Sequence, residues 1–118
     1  MDAMPLAFAV ESLDDVVRVT FRDDLDISRA HEVGKALQYA TEADELPILI
    51  ALDATVRYID SFTLSELLLF RRRLSPSLRR VAVYVANANV YRTLTITDVA
   101  ERLNATMREE DALNTLRA

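Results

Sequence analysis

The 118-residue chain has no cysteine and no tryptophan, a single histidine (His31) and a single glycine (Gly34). Without cysteine, a Cys/His zinc centre and a thiol nucleophile are both excluded. A Ser/His/Asp triad would have to recruit His31, the sole candidate base. Average usage would place roughly eight glycines in this length, so one glycine rules out the phosphate-cradling loops of dinucleotide and P-loop proteins. Long apolar runs are also missing. The two longest, residues 3–10 and 46–52, each include a proline and fall far short of the ~20 residues that span a bilayer. The first residues are apolar but carry Asp2 and no basic flank, unlike a secretory signal. A cytoplasmic location without membrane insertion is the default expectation. Positive charge is in deficit: fourteen basic against nineteen acidic residues give a net charge of −5. Such a surface repels phosphate backbones, which argues against a direct nucleic-acid partner.

What is present is an ordinary globular composition, 51% hydrophobic and 28% charged. That length fits one compact domain, residues 1–118, without disulfide or metal staples. Residues 6–11 and 15–21 read as two strands of a hairpin, the second alternating Val17, Val19 and Phe21 against Val16, Arg18 and Thr20. A polar loop, residues 22–26, leads to a helix that Asp26 or Ser28 can cap. Ala30, Val33, Gly34, Leu37 and Ala40 give that helix its apolar face. Glu42, Asp44 and Glu45 oppose the helix dipole at its far end and are expected in the exit loop. The continuously apolar stretch 47–52 reads as a central strand buried on both faces of a partly parallel sheet.

A helix pattern then runs over residues 62–74, with Leu64, Leu67, Leu68 and Leu74 facing inward. Arg71, Arg72 and Arg73 favour its C-terminal dipole, and Ser75-Pro76-Ser77 ends it. Val81, Val83 and Val85 mark the next strand, residues 80–86. Asn89 can cap a short helix carrying Val90, Leu94 and Val99. Residues 105–107 suit a brief edge strand, and Glu109, Glu110 and Asp111 open a last helix lined by Ala112, Leu113 and Leu116. Met4, Tyr84 and Tyr91 read as packing residues, and His31 as a residue without function. The order is β-β-α-β-α-β-α-β-α.

The most informative stretch runs from Pro47 to Leu69. A buried strand ends in Leu52-Asp53, and seven residues later Asp60-Ser61 opens a helix preceded by the apolar Ile59. This resembles the STAS domain family, whose best-known members are bacterial anti-sigma factor antagonists. Val17 to Phe21 followed by Leu25-Asp26 is similar to the family's second strand and its Gly-x-Leu-Asp loop. Asn89 to Asp98 and Glu110-Asp111-Ala112-Leu113 are similar to its last two helices. The chain departs from the pattern in Ser61-Phe62-Thr63, where Ser-Ser-Gly is frequent, and in Asp23, where the loop glycine is usual.

The resemblance implies an α/β fold with helices packed mainly on one face of a mixed four- to five-stranded sheet. It also implies a non-enzymatic switch protein in sigma-factor-dependent transcription. Ser61 would be the phosphoacceptor, and Asp26, Asp60, Ser61, Phe62 and Thr63 the partner surface. The partner would be an anti-sigma factor that is also a serine kinase of the GHKL type, bound to unphosphorylated Ser61 and released by phosphorylation. ATP and magnesium would belong to that kinase, and this chain would hold no cofactor. Asp60 would hold the loop or mark the serine for the kinase. Self-association as a homodimer is left open.

Plainer readings attach to the same residues. Ser61 can be an ordinary N-cap worth about 1 kcal/mol, and Thr63 with Glu66 makes an alternative capping box. Asp53 and Asp60 could form a carboxylate pair for acid–base chemistry, although strand-end aspartates more commonly cap turns. A protein of the same fold could also be a constitutive scaffold, or a subunit of a stress-signalling or lipid-transport complex.

Overall fold

A computed structural model describes residues 8–117; Met4 and the start of the first expected strand lie outside that range. β1 (Phe8–Ser12) and β2 (Val17–Phe21) form the hairpin, and β3 (Ile48–Leu52), β4 (Val81–Val85) and β5 (Ala105–Thr106) complete one sheet in the order β1-β2-β3-β4-β5. The β1–β2 pair is antiparallel and every later pair is parallel. β3 lies at the centre with all five residues buried, as its unbroken apolar run requires.

Helices α1 (Ala30–Ala43), α2 (Ser61–Leu74) and α3 (Ala88–Ile96) connect consecutive parallel strands. Right-handed crossovers between strands added in one direction place their helices on one face. The main core agrees: Val17, Val19, Ile48, Ile50, Val81 and Val83 pack with Val33 and Leu37 of α1, Leu64 and Leu67 of α2, and Val90 and Leu94 of α3. No further strand follows α4 (Glu109–Arg117), so it is free of that constraint. Its Ala112 and Leu116 cover Val16, Leu49 and Ala82 on the opposite face. Ion pairs fasten it at both ends, Arg18–Glu109 and Arg117–Asp15. The expected fold class is therefore the observed one.

Several local expectations need correction. Glu42 lies inside α1 rather than in its exit loop, and only Asp44 and Glu45 follow the helix. The reason is Arg79, whose guanidinium reaches the end of α1. It donates to the carbonyls of Thr41 (3.0 Å), Leu46 (2.6 Å) and Asp44. A cation supplied from elsewhere in the chain thus satisfies the carbonyls that a helix end leaves free. α3 is capped by Asn87, not Asn89: the Asn87 side chain accepts from the amides of Asn89 (2.8 Å) and Val90 (3.2 Å). Val99 is buried, but in the turn after α3. On α2, Thr63 and Phe70 are buried alongside Leu64 and Leu67, while Leu68 and Leu74 are only partly covered.

Candidate functional site

The loops after β2 and β3 leave the same edge of the sheet, and parallel α/β sheets place binding groups at these strand ends. Backbone and side chains zip the two loops together. The Leu25 amide donates to the Tyr58 carbonyl (2.9 Å) and the Asp60 amide to the Leu25 carbonyl (3.1 Å). The Asp24 carboxylate accepts from the Arg57 amide (2.9 Å), and the Thr55 hydroxyl from the Asp23 amide (2.9 Å). Leu25 and Ile59 are buried between them.

Asp23, the residue at the family's glycine position, has φ = 64°. That left-handed conformation is free for glycine and tolerable for aspartate. The substitution therefore keeps the turn. Asp23→Gly is expected to stay within about 1 kcal/mol of the parent, whereas β-branched Asp23→Val should lose about 2 kcal/mol. Urea midpoints of the two variants check this.

Asp60 is the central residue of the site. Its backbone is extended, and one carboxylate oxygen accepts from the Thr63 amide (2.8 Å), which makes Asp60 the N-cap of α2. The other oxygen accepts from the Ile27 amide (2.8 Å) at the start of the 3-10 turn Ile27–Arg29 that leads into α1. One carboxylate thus orders the entrances of two helical segments. The Thr63 amide, assisted by that of Ile27, holds the Asp60 carboxyl below the usual aspartate range, against an opposing effect of burial.

A lowered folded-state pKa means stabilisation that is complete above the unfolded value, about 3.9, and is lost as pH falls through the folded value. Asp60→Asn can still cap through the Thr63 amide, but it replaces the oxygen that accepts from Ile27 by an NH2 donor, so it should be less stable than the parent by about 1–2 kcal/mol at neutral pH. The gap should narrow below about pH 4 as the parent's own carboxyl protonates. Denaturation at a series of pH values measures it. Asp26 plays the matching role one turn earlier, its side chain accepting from the amide (3.0 Å) and hydroxyl of Ser28.

Ser61 is the first residue of α2 and is exposed. It is not the N-cap, because Asp60 occupies that position. No hydrogen bond engages its hydroxyl within the described residues, although its carbonyl accepts from Ser65 Oγ (3.0 Å). Phe62, beside it, is 44% exposed, and Tyr58 and Ile27 on the two loops are 54% and 65% exposed. Sequence reasoning missed Ile27 and Tyr58. Their only signal is that they are apolar yet lie outside any periodic run, next to the acidic turn residues.

Thr63 departs from expectation. It is completely buried, so its side chain is not offered to a docking protein, and it cannot open the helix as the capping-box reading required. The Asp53–Asp60 pair also dissolves into two structural roles. Asp53 accepts from the Thr55 amide (2.8 Å) and hydroxyl (2.5 Å) and faces Arg22 at 3.4 Å, while Asp60 serves the two helix starts. The site therefore presents a free hydroxyl at an amide-rich helix start, ringed by exposed apolar side chains and held by buttressed carboxylates. No helix among the described residues is long and apolar enough to cross a membrane.

A five-stranded mixed sheet with three helices on one face, a fourth on the other and an exposed hydroxyl at the helix start after its central strand defines a small α/β domain class. No family model and no curated protein matches the chain, but solved structures do. An anti-sigma factor antagonist from Mycobacterium paratuberculosis superposes with a TM-score of 0.83 at 23% identity, covering 96% of this chain and 95% of that one. The protein TM1081 gives 0.72 at 21% identity over 99% and 94%. The anti-sigma factor antagonist SpoIIAA in its unphosphorylated form gives 0.70 at 17% identity over 94% and 96%. SpoIIAA of Bacillus has also been solved in the phosphorylated form (0.62, 16%, 94% and 100%). The chain has the fold of the anti-sigma factor antagonists, the STAS fold that the Asp60-Ser61 segment resembles.

Proposed function

We propose that this protein is an anti-sigma factor antagonist whose Ser61 hydroxyl is a phosphorylation switch. The observation that carries the reading is the position of Ser61: exposed, unbonded and in the first turn of α2, between exposed Phe62, Tyr58 and Ile27. A helix N-terminus tolerates added negative charge because its amides are unpaired and the dipole is positive there. The domain itself should therefore remain folded when Ser61 is phosphorylated. A docked partner would instead meet about −1.5 to −2 units of charge among apolar side chains and beside Asp60 and Asp26, and would be expelled. The partner is an anti-sigma factor with serine kinase activity of the GHKL type, which brings its own ATP and magnesium. In this reading the protein is a substrate and binding module rather than an enzyme, acting in the cytoplasm on sigma-factor availability.

Incubation with the cognate kinase and ATP, followed by phosphopeptide mass spectrometry, is expected to place one phosphate on Ser61 and none on Ser65. A kinase that binds the protein tightly yet leaves Ser61 unmodified would refute the switch. It would favour a constitutive scaffold, whose assembly is indifferent to Ser61→Asp as well as to Ser61→Ala.

A further inference from the structure

Along α2 from Ser65 to its C-terminal end lies an open groove of about 870 Å³, bounded by the start of β4, the segment before β5 and Thr115 of α4. Five arginines line it: Arg71, Arg72, Arg79, Arg80 and Arg102. No carboxylate does, although the chain as a whole carries a net charge of −5. The ion pairs among the described residues use other arginines, namely Arg18, Arg22, Arg29, Arg108 and Arg117. Arg79 is spent on the carbonyls at the end of α1, and Arg80 donates to the Leu116 carbonyl at 3.4 Å. Arg71, Arg72 and Arg102 are exposed and have no partner among the described residues.

The groove also contains apolar surface. Leu69 is 40% exposed, and Leu78, which holds the left-handed turn after α2 at φ = 59°, is 87% exposed. Apolar ground bordered by cationic side chains has the anatomy of a protein-docking surface.

We infer that this groove is a second docking surface, for an acidic amphipathic helix of another protein. Ser65, Leu68, Leu69 and Arg72 are spaced i, i+3, i+4 and i+7 along α2, so they form one continuous stripe against which a helix can lie. Charge complementarity selects the occupant: free guanidinium groups fork onto carboxylates, and the apolar residues take its leucine side. The stripe starts at Ser65, one turn beyond Ser61 on the same face of α2, and runs away from it toward the C-terminal end of the helix.

The probe is a labelled synthetic helix with leucine at i, i+3, i+4 and i+7 and glutamate elsewhere, followed by fluorescence anisotropy. The expected Kd is about 10–100 µM at low salt, weakened roughly tenfold or more when screening shortens the Debye length to about 4–5 Å. Arg72→Glu/Arg102→Glu should weaken binding at least about tenfold, with the thermal midpoint lowered by no more than a few degrees because an acid in the last turn of α2 opposes the helix dipole. Should that variant fail to fold, Arg71→Gln/Arg72→Gln/Arg102→Gln removes the charge without reversing it and should give the same loss. Absence of peptide binding, equal binding by the variants, or equal binding of a scrambled peptide would each overturn the inference. So would binding of phosphatidylglycerol vesicles, or self-association lost in the variants, if the peptide itself does not bind.

Discussion

Ser61→Asp is expected to weaken binding to the cognate anti-sigma factor by about 100-fold, while Ser61→Ala changes it by less than about fivefold. The asymmetry follows from what each substitution adds. Alanine removes a hydroxyl that has no partner within the domain, so it costs at most one hydrogen bond to the partner, about 0.5–1.5 kcal/mol. Aspartate puts an uncompensated charge in the proposed interface, close to the carboxylates of Asp26 and Asp60, and a buried, unpaired charge costs about 2–5 kcal/mol. Stability should move the other way. An acid at the first position of α2 interacts favourably with the helix dipole, by about 0.3–1 kcal/mol, so the thermal midpoint of Ser61→Asp should be unchanged or slightly raised. Calorimetric titration with the anti-sigma factor, together with thermal melts of both variants, separates loss of binding from loss of fold. A Ser61→Asp protein that binds like the parent would sink the switch.

The second large effect concerns stability. Arg79→Ala is expected to destabilise the domain by about 3 kcal/mol, a large share of the roughly 5–15 kcal/mol typical of a domain this size. Arg79 lies outside every strand and helix, yet its guanidinium donates to carbonyls at the end of α1 and to Leu46 just before β3. Burial lowers its pKa, an effect opposed by the nearby charges of Asp44 and Glu45. Hydrogen bonds from a charged group contribute about 1.5–3 kcal/mol, and truncation leaves several carbonyls without a donor at once. Arg79→Lys keeps the charge but not the planar fork, so it should recover only part of the loss, about 1 kcal/mol. Urea denaturation of the two variants measures both numbers. If Arg79→Ala matches the parent, the carbonyls are satisfied by water and the guanidinium is incidental.

Much of this protein was legible in its sequence because the relevant signals are local. The unbroken apolar run of β3, the alternating valines of β4 and the acids opening α4 each reflect the burial or dipole of a single element, which the chain states in consecutive residues. Asp60-Ser61 stood out only through its resemblance to a family motif; local signals offered Ser61 or Thr63 as the cap, whereas the cap is Asp60. Tertiary structure decided what depends on residues distant in sequence. Thr63 looked like a surface residue until the fold laid that side of α2 against the core. The free carbonyls of α1 found Arg79, more than thirty residues away. The second oxygen of Asp60 found the Ile27 amide across two loops. A carboxylate or guanidinium has several hydrogen-bonding atoms, and sequence spacing accounts for the first partner only. The others are chosen by which loops the sheet brings to the same edge.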